Sequence, residues 1–151
     1  RSKFIETIVK AKPNVMGHNI ETVKRLSPTI RDLRANYNQS LKVLKYVKEL
    51  DSSIFTKSSL MLGLGESEEE IIQTAQELRA VDVDIITLGQ YLQPSLSHLS
   101  VKEFVTPEKF YQLKLDLKKL GFLHVESGPF VRSSFRASDV IDLIIKNTDK
   151  E

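Results

Sequence analysis

Residues 55–80, FTKSSLMLGLGESEEEIIQTAQELRA, place a strand, a glycine loop and a helix in direct succession. Segment 55–62 is predicted to be a strand, and it runs into the glycine loop 63–66. Ser67 and Glu70 have the spacing of a capping box, so we expect a helix to begin directly after Ser67. Apolar residues then recur at helical spacing. The whole stretch is therefore typical of one β-loop-α unit.

The same order of strand and helix recurs along the rest of the chain. Three more strands are predicted, at 14–17, 84–88 and 122–125. Further helices are predicted around 4–9, over 40–50 with Asn38 or Ser40 as the cap, from Pro107 to Gly121 with Thr106 before it, and around 140–145 with Ser138 as the cap. Strands that alternate with helices every roughly 30 to 40 residues are typical of parallel βα units. Right-handed crossovers should place these strands side by side in chain order.

Four such strands amount to half of an eight-stranded (β/α) barrel, for which about 250 residues is usual. The sequence therefore predicts an α/β fold, the C-terminal half of a TIM-like barrel, with about four βα units over residues 1–151. The chain begins at Arg1 inside a predicted helix, so we expect the missing half to lie upstream.

The composition argues against several classes of protein. The 151 residues include 22 Lys or Arg and 20 Asp or Glu, and a net charge of +2 gives no reason to expect nucleic acid or an anionic membrane as a partner. No apolar run approaches the roughly 20 residues that cross a bilayer. The absence of cysteine rules out disulfides, thiolate zinc sites, a cysteine nucleophile and thiolate ligands for an iron–sulfur cluster within this chain.

Polar clusters follow the predicted strands at their carboxyl ends, where parallel βα folds bind ligands. They comprise His18, Asn19 and Glu21; Lys57, Gly63, Gly65 and Glu66; Gln90, Tyr91 and Gln93; and Gly128 with residues 131–136. Each cluster also fits an ordinary structural role, such as a helix cap or a tight turn. The glycine loop lacks the third glycine of a dinucleotide fingerprint, so it does not by itself indicate a nucleotide.

The run Arg132-Ser133-Ser134-Phe135-Arg136 places two guanidinium groups around two hydroxyl groups. Such a patch can bind an anion or stabilise an oxyanion. A serine hydroxyl is a weak nucleophile and a weak ligand unless its neighbours favour the alkoxide, and both arginines act in that direction. A solvated basic turn explains the same spacing equally well.

Taken together, these segments resemble lipoyl synthase, a radical S-adenosylmethionine family. The matching motifs are HNIETV at 18–23, TKS and LMLGLGE within 56–66, LGQYLQPS at 88–95, VTPE at 105–108, GF at 121–122 and SGPFVRSSFRA at 127–137. All of them occur in order and at compatible spacing. The resemblance spans most of the chain, from position 14 to position 137.

The resemblance implies a sulfur-insertion reaction that uses two [4Fe-4S] clusters and S-adenosylmethionine. In the family, one cluster is held by an upstream CxxxCxxC motif and cleaves S-adenosylmethionine to a 5'-deoxyadenosyl radical. That radical abstracts hydrogen from the sixth and eighth carbons of an octanoyllysine. The second, auxiliary cluster is consumed as the sulfur donor.

The resemblance also implies partners and a location. The partners are octanoylated lipoyl carrier domains, in the H protein and in the acyltransferase subunits of 2-oxoacid dehydrogenases, and an electron donor such as ferredoxin or flavodoxin. The location is cytoplasmic in a bacterium, and the mitochondrial matrix or plastid in a eukaryote.

Site residues follow from the same resemblance, position by position. Ser134 matches the serine ligand of the auxiliary cluster, and Arg132 and Arg136 would stabilise its alkoxide. An oxygen ligand is a mismatch among soft sulfur ligands, so the cluster can be dismantled there. The implied cofactor-binding residues are Asn19, Glu21, Gly63, Gly65, Glu66, Gln90, Tyr91 and Gln93. Both cysteine motifs are absent, so this chain alone is expected to bind neither cluster stably and to be inactive.

Two alternatives stay open on the residues themselves. A different βα enzyme would use Lys57 to form a Schiff base, with Arg132 and Arg136 as an anion site. A non-catalytic module would instead dock a partner strand on an exposed edge of the half barrel.

Overall fold

The computed structural model of the chain describes residues 2–31, 35–133 and 137–148. In chain order, their helices and strands are α1 (Ser2–Lys10), β1 (Val15–Gly17), α2 (Ser27–Ile30), α3 (Tyr37–Leu50), β2 (Phe55–Leu62), α4 (Glu68–Ala80), β3 (Ile85–Gln90), α5 (Pro107–Lys118), β4 (His124–Ser127) and α6 (Ala137–Thr148). The four strands form one sheet in the order β1-β2-β3-β4, and every pair is parallel. The predicted parallel βα units in chain order are therefore confirmed, and a partial TIM-like barrel fits this sheet.

Alternate residues of the central strands face two different environments. Leu60 and Leu62 of β2, with Ile86 and Leu88 of β3, are buried in a core shared with α3, α4 and α5. The residues between them point to the opposite side of the sheet, because side chains alternate along a strand. We call that side the second face. Ile85, the first residue of β3, lies on the second face and packs against the fully buried Ile141 of α6.

The helix signals in the sequence are confirmed at two starts. The hydroxyl of Ser67 accepts a hydrogen bond from the Glu70 amide at 3.2 Å, and the Glu70 carboxylate accepts one from the Ser67 amide at 2.9 Å. The Thr106 hydroxyl caps α5 in the same way through the Lys109 amide, at 3.2 Å. These bonds satisfy amide groups that the first turn of a helix leaves without partners.

Three other local expectations are wrong. The α3 helix is capped by Asn36, whose side-chain oxygen accepts from the Gln39 amide at 2.8 Å, and not by Asn38 or Ser40. Its first residue, Tyr37, is buried, so packing extends the helix beyond the apolar repeat seen in the sequence. Ser138 lies inside α6, which begins at Ala137, and is therefore not its cap.

The last strand is also displaced from its predicted position. It runs over His124–Ser127, two residues later than expected. Phe122 precedes the strand and packs in the helix-side core, with the Arg79 guanidinium 5.5 Å from its ring. Within the described ranges, no helix has the length and apolar character needed to cross a membrane.

Candidate functional site

A cavity of about 240 Å³ lies at the carboxyl ends of β2 and β3, on the second face of the sheet. Four of the predicted site residues line it: Glu21, Gln90, Tyr91 and Arg132. The structure therefore brings together residues from the loops that follow the first, third and fourth strands, as the carboxyl-edge argument predicts. We call this space the rim cavity.

Glu21 reaches the rim cavity from a left-handed backbone conformation. Its φ is 71°, in a region that side-chain-bearing residues seldom occupy. Two hydrogen bonds hold it there: its amide donates to the Ser59 carbonyl at 3.0 Å, and its carbonyl accepts from the Met61 amide at 2.9 Å. The loop after β1 is thereby fixed to β2. A conformation of this kind costs on the order of 1–2 kcal/mol and is typical of functional positions.

The glycine loop 63–66 binds one of its own carboxylates. The Glu66 side chain accepts hydrogen bonds from the amides of Gly63 at 2.7 Å and Gly65 at 3.2 Å, and a longer one from Leu64. Burial raises the pKa of Glu66, and these amide donors oppose that shift. Gly63 and Gly65 have φ of 98° and 107°, which glycine adopts without strain. None of these residues is among those that line the rim cavity.

Gln90, the last residue of β3, and the residues that follow it organise the next loop. The Gln90 side chain accepts from the Val105 amide at 2.9 Å and donates to the Glu103 carbonyl at 3.0 Å. The Tyr91 hydroxyl donates to the Leu99 carbonyl at 2.7 Å, and the Gln93 amide group donates to the His98 carbonyl at 2.9 Å. Their polar atoms therefore hold loop 91–105 in shape at the edge of the cavity. Gln93 itself lies outside the cavity lining.

The chain after β4 turns back across the sheet, and we call residues 128–133 the crossing segment. It starts where the Gly128 amide donates to the Leu88 carbonyl of β3 at 3.1 Å. A Cβ atom at Gly89 would overlap the Val131 carbonyl oxygen. The ammonium of Lys57 donates to the Ser133 carbonyl at 2.5 Å. Burial lowers the pKa of this ammonium, and the Schiff-base alternative for Lys57 stays a prediction.

One more predicted site residue lies elsewhere, and two are not described by the structure. Asn19 is half-buried and does not line the rim cavity. Ser134 and Arg136 lie outside the described residues, so their assignment stays a prediction.

Sequence reasoning missed Ser59, Thr87 and Gly89, which line the rim cavity from the second face. The Thr87 hydroxyl donates to the Ser59 hydroxyl at 2.6 Å, and this pair joins β3 to β2 beneath the cavity. A usable signal existed in the sequence. Lys57 and Ser59 lie two residues apart in a predicted strand, so their polar side chains share one face of the sheet.

The donor set of the chain does not by itself fit an iron–sulfur cluster. The sequence contains no cysteine. In the parts of the chain that the structure describes, no group of three or more His, Cys, Asp or Glu side chains is placed to hold a metal ion. Thiolate ligands would have to come from outside this sequence.

Comparison with known proteins gives a consistent result, although no protein-family model matches the chain. It is 54% identical to lipoyl synthase of Myxococcus xanthus over 137 residues, which cover 91% of this chain and 46% of that protein. It is 54% identical to the chloroplastic lipoyl synthase of Ricinus communis over 147 residues, or 97% of this chain and 40% of that protein. With the mitochondrial lipoyl synthase of Caenorhabditis elegans the identity is 55% over 135 residues, or 89% of this chain and 38% of that protein.

The chain thus spans less than half the length of these curated relatives. The similarity covers nearly all of the chain, and it includes the loops that bring the rim cavity together. By sequence, the chain is therefore similar to the C-terminal portion of lipoyl synthases.

Proposed function

We propose that the chain, as the C-terminal part of a radical S-adenosylmethionine barrel over residues 1–151, belongs to an enzyme that inserts two sulfur atoms into protein-bound octanoyllysine. Identity of about 54% to curated lipoyl synthases over most of the chain supports this proposal. The proposal concerns the whole protein. The chain alone lacks cysteine, and we expect it to be inactive.

One observation carries the assignment of the site. Arg132 and Ser133, the last described residues of the crossing segment, line the same cavity as Glu21 and Gln90. Ser134 follows Ser133 directly in the sequence. This continuity supports Ser134 as the residue that serves the auxiliary cluster at this end of the sheet.

The charges of the rim cavity suit an amino-acid-bearing cofactor. S-adenosylmethionine carries an ammonium group, a carboxylate and a sulfonium, and it would supply the radical that removes hydrogen. Glu21 offers a negative group to the cationic parts. Arg132, whose Nη1 also donates to the carbonyls of Pro129 and Val131, offers a positive group to the carboxylate. Gln90 at the end of β3 and Tyr91 at the start of loop 91–105 would form another side of the cofactor site. We propose these four residues as the part of the cofactor site that this chain provides.

The partners and the location follow from the same proposal. The substrates would be octanoylated carrier domains, in the H protein or in 2-oxoacid dehydrogenases, with ferredoxin or flavodoxin as the electron donor. The relatives include bacterial, mitochondrial and chloroplastic proteins. Location would accordingly be cytoplasmic in a bacterium, and in the mitochondrial matrix or plastid in a eukaryote.

Ser134→Ala in the full-length protein tests the proposal. We expect S-adenosylmethionine cleavage to stay measurable while sulfur insertion is lost, because only the second process needs the serine oxygen. Ser52→Ala is the matched control, since Ser52 is an exposed serine that precedes β2 at the opposite end of the sheet. Lipoyl product from Ser134→Ala at the parent rate would show that the ligand assignment is wrong.

A further inference from the structure

The crossing segment lies unusually close to the sheet. The Val131 carbonyl approaches β3 so closely at Gly89 that any side chain there would collide with it. Gly89 has no positive φ, so turn geometry does not explain the glycine. Close backbone approach does explain it, because glycine is the residue that leaves room for another chain segment on a strand.

A second contact holds the same segment from the neighbouring strand. Gly89 pairs with Met61 in the register of β2 and β3, and Lys57 lies four residues earlier on β2. The long side chain of Lys57 reaches along the second face and donates to the Ser133 carbonyl at 2.5 Å. Gly89 and Lys57 therefore secure the two ends of the tripeptide 131–133.

Lys57 is a buried residue in a strand that is paired on both sides. Lys57 is 8% exposed and pairs with Gly17 on one side and Ile85 on the other. A buried ammonium needs oxygen partners to offset the loss of water. A hydrogen bond from a charged donor is also stronger than a neutral one. The Ser133 carbonyl consequently gains a firm point of attachment.

We propose that Lys57 is a positioning residue, which with Gly89 clamps the crossing segment so that Arg132 and Ser133 form a wall of the rim cavity. The purpose of that wall rests on the proposed function. The clamp itself does not, because it can be measured without any catalytic assay.

Trypsin cleavage after Arg132 in the full-length protein is the direct test. Cleavage needs the segment to leave the sheet, so its rate reports the population of the released state. Lys57→Met keeps the length of the side chain and removes the donor. We expect it to speed cleavage after Arg132 about tenfold or more, the effect of losing a charged hydrogen bond, relative to cleavage after the exposed Lys24.

Lys118→Met is the matched control. The Lys118 ammonium also donates to a backbone carbonyl, that of Leu123 at 2.7 Å, and this contact does not involve the crossing segment. This variant should therefore leave cleavage after Arg132 unchanged. Lys57→Arg retains a cationic donor and should restore most of the protection, which a purely space-filling role for Lys57 would not predict.

Gly89→Ala separates local release from general unfolding. It leaves Lys57 in place and should increase cleavage after Arg132 without a change after Lys24. The clamp does not exist if trypsin cleaves both Lys57→Met and Gly89→Ala after Arg132 at the parent rate. It also does not exist if cleavage after Arg132 rises only as much as cleavage after Lys24. Loss of sulfur insertion in Ser134→Ala is independent of this result, so the two proposals can fail separately.

Discussion

Replacing Glu21 should separate the stability of the fold from the chemistry of the site. Glu21→Ala removes the carboxylate but keeps a Cβ atom at a φ of 71°. Glu21→Gly removes the carboxylate and also the steric cost, on the order of 1–2 kcal/mol. The greater conformational freedom of glycine in the unfolded chain lowers the free energy of unfolding by about 0.5–1 kcal/mol. The free energy of unfolding should therefore be roughly 0.8 kcal/mol higher for the glycine variant than for the alanine variant.

Urea unfolding followed by far-ultraviolet circular dichroism is the suitable assay, because the chain has no tryptophan. With a urea dependence of about 1–3 kcal/mol per molar, the difference corresponds to a midpoint shift of roughly 0.3–0.8 M. Glu69, exposed in the first turn of α4, is the matched control. Glu69→Gly should be less stable than Glu69→Ala, which is the reverse of the order expected at Glu21.

The order of the two Glu21 variants decides the question. A midpoint for Glu21→Gly equal to or below that of Glu21→Ala would refute the claim that this backbone is strained. In the full-length protein, both variants should lose affinity for S-adenosylmethionine because both lack the carboxylate. A more stable variant with a weaker site would then show that the fold tolerates strain at Glu21 in order to place its side chain.

Two further predictions concern acid stability and the loop after β3. The hydrogen bond from Arg25 lowers the pKa of Glu70 to about 2, against an ordinary value of 4.5, so the stability this carboxylate contributes is complete above the ordinary value and declines as the pH falls toward 2. Glu70→Gln should therefore unfold in less urea than the parent at pH 7, and an equally large gap near pH 2 would contradict this. Gln90→Leu leaves the Val105 amide and the Glu103 carbonyl without their partner and should cost about 2–4 kcal/mol in urea unfolding. Faster proteolysis within 91–105 should accompany that loss, and an unchanged midpoint would show that Gln90 does not hold the loop.

Signals that act over a few residues could be read from the sequence. The capping box of Ser67 and Glu70 depends on atoms three residues apart, and the helix starts where that pattern predicts. The parallel order of the strands follows from alternation alone, because a crossover helix leaves few other topologies. The grouping of Glu21, Gln90 and Arg132 followed from the same rule, since parallel strands end at one edge.

Features that depend on distant contacts could not be read in this way. Asn36, Asn38 and Ser40 are all good capping residues, and burial of Tyr37 selects the first of them. The approach of Val131 to Gly89 joins positions 42 apart in the sequence, and Lys57 meets Ser133 across 76. No local sequence pattern predicts contacts between residues so far apart in the chain. The sequence places Lys57 in a predicted strand, but the carbonyl that it contacts can be identified only from the fold.

The carboxylate of Glu66 has a consequence for which molecules the glycine loop admits. It occupies the amides of Gly63 and Gly65 as a tethered competitor, at an effective concentration that a free anion does not match. A nucleotide phosphate would have to displace it and would then lie beside its negative charge. With its amides already bound to Glu66, the loop is therefore a poor binding site for a further anion.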